Sequence, residues 1–244
     1  MKILGIIPAR YKSSRFPGKP LALILGKPLI IYVCEIAEEA LGKENVVVAT
    51  DSNQIADLVK SFGYNYCLTS PDHLTGTDRL VEVSEKMDSD IYLNIQGDEP
   101  LINPLDIKKI AENKTLFPDF IINGMTYISD SEDPNSINIP KVVVDCNSKL
   151  LYMSRAAIPG SKNPSNNLRY LKQVCIYAFN KEELQLMKSN PTKTPLEDSE
   201  DIEILRFLEL GRNVKMVHLS SGSLAVDVPS DIKNVENELR LKKV

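Results

Sequence analysis

Four cations, Arg10, Lys12, Arg15 and Lys19, fall within ten residues of one another in the amino-terminal segment Pro8–Leu21, PARYKSSRFPGKPL. Pro8, Pro17, Pro20 and Gly18 restrict and shape the same stretch of backbone. The whole chain is mildly acidic, with 29 Lys and Arg against 33 Asp and Glu and a formal net charge of −4. A cationic loop in such a chain calls for a local anion. A triphosphate fits, because Arg grips phosphate oxygens in pairs, Lys acts as a point charge and backbone amides add donors. The loop is not a Walker A sequence: Gly18-Lys19 is followed by Pro20 where that pattern needs Ser or Thr. Nor is it the G-x-G-x-x-G of a dinucleotide site. A solvated basic surface loop is the alternative, and the proline content and position after an apolar run weigh against it.

Two acids stand at the ends of apolar segments far apart in the chain. Ile91–Pro100 reads IYLNIQGDEP and delivers Asp98 after a glycine; Ser223–Pro229 reads SLAVDVP and delivers Asp227. Two such carboxylates suit one magnesium ion, which prefers oxygen ligands and is usually held by one or two carboxylates plus substrate phosphates. For Asp227 a helix cap before Pro229 is an equal alternative.

The elements that must position these groups follow from hydrophobic patterning. Ile3–Ile7, Asn45–Ala49 and Ile91–Ile95 read as strands buried on both faces. Pro28–Leu41, Ser52–Phe62 (capped by Asp51 or Ser52) and Asp78–Met87 read as helices. Such alternation predicts an α/β fold with a mostly parallel sheet flanked by helices, and ligands then bind beyond the carboxyl ends of the strands. Further strands are expected at Phe120–Tyr127, Lys141–Asp145, Leu150–Met153 and Tyr170–Phe179, followed by helices at Lys181–Lys188 and Ser199–Leu208. A strand pair, Val214–Leu219 and Leu224–Val226, precedes a closing helix from Pro229 to Leu241. Ser161–Leu168 reads as a polar loop, and Leu116–Asp119 as a possible lobe boundary.

Composition excludes several classes. A sequence pI near 5.4, no Trp and no basic patch beyond the first loop argue against nucleic acid as a partner. No stretch approaches the roughly 20 apolar residues of a membrane span, and the short apolar start lacks the pattern of a signal peptide, so a cytoplasmic protein is expected. Cys34, Cys67, Cys146 and Cys175 form no C-x-x-C pair and read as buried reduced thiols; with two histidines, His73 and His218, a zinc site is improbable.

Five segments together carry a resemblance. PARYKSSRFPGKPL, DHLTGTDR (Asp72–Arg79), NIQGDEP (Asn94–Pro100), YMSRAAIP (Tyr152–Pro159) and AVDVPSDI (Ala225–Ile232) are similar, in order and spacing, to the motif series of the CMP-KDO synthetases (3-deoxy-manno-octulosonate cytidylyltransferases). The resemblance implies a Rossmann-like nucleotidyltransferase domain. In it, residues 1–118 mainly bind CTP, 119–222 mainly form a smaller sugar-binding and dimerisation lobe, and 223–244 return a metal-ligand strand and a closing helix. It implies that Pro8, Ala9, Arg10, Ser13, Arg15, Lys19, His73, Thr75 and Gly76 hold CTP, although His73 also suits a solvent-facing loop. It implies that Arg10, Arg15, Lys19 and Asp98 serve the chemistry, that Asp98 and Asp227 bind Mg2+, and that Arg79, Gln96, Gln173, Tyr177 and Glu203 meet the sugar, with Arg79 facing its carboxylate. A homodimer is implied. The reaction is attack by the anomeric hydroxyl of an acidic sugar on the α-phosphate of CTP, with pyrophosphate leaving; positioning and charge neutralisation do most of the work in such transfers.

The chain departs from the family where the sugar pocket is expected. Gln173–Tyr177 reads QVCIY where the family has His-x-Gly-Ile-Tyr, and Ile202–Arg206 reads IEILR where it has Leu-Glu-Gln-Leu-Arg. Gln173, Cys175 and Ile204 therefore keep open a variant sugar, deoxygenated or amino-substituted, beside KDO itself. Another acidic acceptor (a nonulosonic acid, a polyol phosphate or a phosphonate) and a non-catalytic CTP-binding regulator are the remaining readings.

Overall fold

The computed structural model describes residues 1–13, 15–163, 168–220 and 223–241. Strand β1 (Ile3–Ala9) is followed by a short hairpin, β2 (Leu23–Ile24) and β3 (Lys27–Pro28), helix α1 (Leu29–Leu41), β4 (Val46–Thr50), α2 (Asn53–Ser61), β5 (Asn65–Leu68), α3 (Gly76–Lys86) and β6 (Ile91–Ile95). Helix α4 (Pro104–Leu116), β7 (Ile121–Tyr127), β8 (Lys141–Val144), β9 (Leu150–Ser154) and β10 (Leu171–Phe179) come next. The chain continues through α5 (Lys181–Ser189), α6 (Pro195–Glu200), α7 (Ile204–Glu209), β11 (Val214–His218) and α8 (Asp231–Leu241).

The main sheet runs β11-β7-β10-β6-β1-β4-β5, with β8 and β9 added beside β10. Strands β5, β4, β1 and β6 are parallel, as are β7 and β11, while β10 lies antiparallel between β6 and β7. The inserted β10 makes the later lobe an extension of the same sheet. Strands β4 and β6 are buried at every residue, as their continuous apolar runs require when helices cover both faces. Two apolar clusters follow. One face packs Ile6, Tyr92, Phe179 and Phe207, and the other packs Ile7, Ile31, Val48 and Ile107. No described helix is long and apolar enough to cross a membrane.

The differences from the sequence expectation have local causes. Helix α3 starts at Gly76, not Asp78, because Thr75 and Asp78 form a capping box: the Asp78 amide donates to Thr75 Oγ1 at 3.2 Å and the Thr75 amide to Asp78 at 2.9 Å. The cap of α2 is Ser52, but neither it nor Asp51 makes a side-chain cap bond, and Asp51 serves Tyr11 and Arg79 instead. The helix expected over Ser199–Leu208 is broken at Asp201, whose φ of 49° ends α6. Leu224–Val226 forms no strand, and Val226 N donates to the Asp98 carbonyl at 2.8 Å. The cysteines are free, but only Cys34 and Cys67 are buried; Cys175 is half-buried and Cys146 exposed. Residues 164–167 of the expected Ser161–Leu168 loop lie outside the described residues.

Candidate active site

The ends of β1 and β6 meet the start of α3 around a first cavity. The end of β1 and the loop after it line it with Pro8, Ala9, Arg10, Ser13, Arg15 and Lys19; the approach to α3 and its first turn add His73, Thr75, Gly76 and Arg79. Every residue expected to hold CTP is therefore on one wall or the other. Lys12, the remaining cation of the loop, is exposed and outside that lining. The loop is shaped by Gly18, whose φ of 69° suits glycine, and its amide donates to the Tyr11 carbonyl at 2.9 Å. Gly97 has a different reason to be glycine: a Cβ there would stand 2.7 Å from the Pro8 carbonyl oxygen, so the ends of β1 and β6 can touch only without a side chain.

The two acids converge. Lys19 Nζ lies 2.7 Å from Asp98 and 3.7 Å from Asp227, and Arg15 lies 3.0 Å from Asp227. One ammonium reaches both carboxylates. The Asp227 carboxylate meets, among the described residues, Arg15 and Lys19 and no amide of α8, so the helix-cap alternative is not what it serves; its own amide and that of Val228 donate to Asp231 at 2.8 and 2.9 Å. Among the described residues no group of three or more His, Cys, Asp or Glu is arranged to hold a metal. The pair Asp98 and Asp227 still matches the donor set that magnesium takes when phosphates and waters complete its shell.

Arg79 lines this first cavity but does not face outward. It is 3% exposed, and its guanidinium donates to Thr69 Oγ1 at 2.6 Å, the Ser70 carbonyl at 3.1 Å and Asp51 at 3.3 Å. Burial lowers its pKa and Asp51 partly restores it. The other oxygen of Asp51 accepts from the Tyr11 amide at 3.2 Å. Arg79 thus anchors the cationic loop through Asp51, so the expectation that it meets the sugar carboxylate is corrected. His73 is no solvent-facing loop side chain: its Nε2 lies 2.6 Å from Glu82, which also takes Lys86 and the Ser70 amide. Burial pushes the Glu82 carboxyl up, but these partners outweigh it and hold it down at about 2. A depressed carboxyl adds stability above its ordinary value and loses it as pH falls through the folded one. Urea melts between pH 5 and 2 are expected to show this loss, and Glu82→Gln to flatten it by on the order of 2 kcal/mol; equal slopes would contradict the assignment.

A second cavity opens beside the first and shares Arg15, Gln96, Asp98, Glu203 and Asp227 with it. Its own wall includes Glu99, Glu132, Arg155, Lys172, Gln173 and Cys175. Gln96 and Gln173 are on this wall as expected. Gln173 Nε2 donates to Asn123 Oδ1 and to the Tyr177 hydroxyl, both at 3.0 Å. Tyr177, 4% exposed, stands behind Gln173 and lies outside both linings. Glu203 accepts from the amides of Gly76 and Thr77, both at 3.1 Å, and from the Thr77 hydroxyl. It ties α7 to the start of α3, and burial raises its pKa. Ile204 is 1% exposed in the core beside Leu205 and Phe207, so its departure from the family lines neither cavity. Sequence reasoning assigned no part to Glu99, Arg155 or Lys172, although Glu99 and Arg155 lie inside the NIQGDEP and YMSRAAIP segments. Depth in the cavity first, and then the charges of Asp98 and Asp227, push the Glu99 carboxyl up to about 7.

A parallel α/β sheet with a cationic loop after its first strand and two facing acids defines a nucleotidyltransferase site. The sequence profile of the cytidylyltransferase family matches residues 4–215, and the chain belongs to that family. A 3-deoxy-manno-octulosonate cytidylyltransferase of Escherichia coli is 38% identical, over 96% of this chain and 94% of its own. An 8-amino-3,8-dideoxy-manno-octulosonate cytidylyltransferase of Shewanella amazonensis is 40% identical, over 99% of this chain and 100% of its own. Among solved structures, a CMP:2-keto-3-deoxy-manno-octonic acid synthetase complexed with CTP superposes with a TM-score of 0.93 at 38% identity, covering 99% of this chain and 100% of that one.

Proposed function

We propose that the protein transfers CMP from CTP to the anomeric hydroxyl of 3-deoxy-manno-octulosonate (KDO) or a closely related 3-deoxy-2-keto sugar acid, releasing pyrophosphate. The observation that carries this reading is Lys19, set between Asp98 and Asp227 in a cavity walled by the cationic loop. The relatives above, named for KDO and for its 8-amino form, support the sugar class. In the reaction the sugar oxygen forms a bond to the α-phosphorus, the bond from that phosphorus to the β-phosphate bridge breaks, and the hydroxyl proton is released. Arg10, Arg15 and Lys19 hold the phosphates and neutralise the charge that gathers on the leaving pyrophosphate. Asp98 and Asp227 would hold Mg2+, which supplies charge neutralisation at the phosphate oxygens.

The acceptor is read into the second cavity, against Gln96 and Gln173. Its carboxylate is assigned to Arg155 rather than Arg79. The Arg155 guanidinium donates to three carbonyls, those of Glu200, Ile137 and Asp201 at 2.5, 2.7 and 3.0 Å, whereas Arg79 is spent on Asp51. Two guanidinium N–H groups remain for a carboxylate. A cytoplasmic homodimer, the division at about residues 118 and 222, and a product bound for lipopolysaccharide or capsule assembly belong to the same reading. Thermal unfolding tests the nucleotide half. CTP with Mg2+ is expected to raise Tm more than CTP alone, since ligand at 100 times its Kd stabilises by about 2.7 kcal/mol; no shift with CTP in either condition would sink the reading.

A further inference from the structure

Three neighbouring strands bring three cations together beside the second cavity, Arg155 and Lys172 in its lining and Lys141 behind it. Lys141 opens β8 and stands in register with Lys172 of β10 on one side and Ser154 of β9 on the other, and Arg155 follows Ser154. Lys172 is balanced by Glu132. Among the described residues, neither the Lys141 ammonium nor the Arg155 guanidinium has a carboxylate within ion-pair distance; both are held by carbonyls.

Lys141 is 0% exposed. Its Nζ donates to the Ser136 carbonyl at 2.8 Å and to the Arg155 carbonyl at 2.5 Å. Arg155 in turn donates to the Ile137 carbonyl, one residue along the same loop. Two cations therefore grip adjacent carbonyls of one segment, and that segment continues as Asn138, Ile139 and Pro140, which line the cavity. On its other side Arg155 holds Glu200 and Asp201, next to Glu203 in the same wall. Burial lowers the Lys141 pKa and the nearby Arg155 charge lowers it further, against a pull from Asp133 and Glu200. A shielded ammonium without a paired anion costs stability, and here two carbonyls offset part of that cost.

We propose that Lys141 is a positioning residue for the acceptor: it fixes Arg155 and the 136–140 loop and keeps that wall of the cavity positive, so that a sugar bearing a carboxylate is seated there. The assignment rests on the sugar-acid reading above. It makes the anionic acceptor the missing counter-charge for a pair of cations that the protein itself leaves unbalanced.

Lys141→Met keeps the length and removes the charge. Its KM for KDO is expected to rise at least about tenfold, with CTP binding by calorimetry within about twofold. Lys141→Gln, which keeps a donor for the carbonyls, is expected to recover part of the loss and serves as the readout if the Met variant fails to fold. A mere structural anchor would weaken CTP and KDO together. That result, or an unchanged KM for KDO in both variants, would overturn the proposal. Failure of the unaltered protein to use KDO while binding CTP would instead sink the functional reading, and this proposal with it.

Discussion

Asp98→Asn is expected to lower the rate of pyrophosphate release by about a thousandfold. The change keeps the shape of the side chain and removes its charge. Asp98 holds Lys19 at 2.7 Å, shares that ammonium with Asp227, and lies in both cavities. Its loss therefore removes one of two proposed metal carboxylates and frees the lysine that should face the phosphates. Because most of the wall of the first cavity, read as the CTP site, comes from the loop after β1 and the approach to α3, CTP affinity without metal is expected to stay within a few-fold. Single-turnover rates and equilibrium CTP binding check the two halves separately. A fall in rate of less than about tenfold would mean that Asp98 is not central to the chemistry.

The second large effect is on stability. Arg206 is 0% exposed and binds Glu197 through two nitrogens, at 2.5 and 2.7 Å, and Asp78 at 3.1 Å. It joins α7 to α6 and to the first turn of α3, whose approach carries His73 and Thr75. Truncation in Arg206→Ala leaves the buried Glu197 carboxylate without its partner, which costs roughly 3–5 kcal/mol. For a chain of this size that is a fall in Tm of roughly 6–20 °C. The double replacement Arg206→Met with Glu197→Leu is expected to recover most of the loss, because no buried charge is then stranded. Failure to recover would mean that shape, not charge balance, sets the cost.

The wall of the first cavity was legible in the sequence for a physical reason. Its cations sit in one contiguous loop after a strand whose apolar run is unmistakable, and β6 spans the residues that its pattern predicted. Proline and glycine punctuation marked the turns between them. The start of α3 was also written there, as the Thr75–Asp78 capping box, but the apolar spacing used to place the helix does not register a cap. Helix α4 escaped because its apolar stripe is thin: only Ile107, Ile110 and Ala111 of its buried residues are hydrophobic. Yet Asn103 before Pro104, with the Asn103 side chain accepting from the Leu105 amide at 3.0 Å, is a start signal that composition carries.

The second cavity was less legible because tertiary contacts make it. Nothing local in IEILR says that Ile204 turns into the core while Glu203 reaches the amides of Gly76 and Thr77. Arg79 looked free for a sugar carboxylate, since its partner Asp51 comes from the end of another strand. Arg155 acquires its place from carbonyls of two separate segments, Ile137 and Glu200–Asp201, which meet only when β8, β9 and β10 pair beside the main sheet.

The most direct test of the account is pyrophosphate release by the unaltered protein from CTP and KDO with Mg2+, run beside the 8-amino sugar and against ATP and UTP in place of CTP. The account predicts steady release with CTP and a 3-deoxy-octulosonate and little with the other nucleotides. CTP binding with no release from either sugar would contradict it.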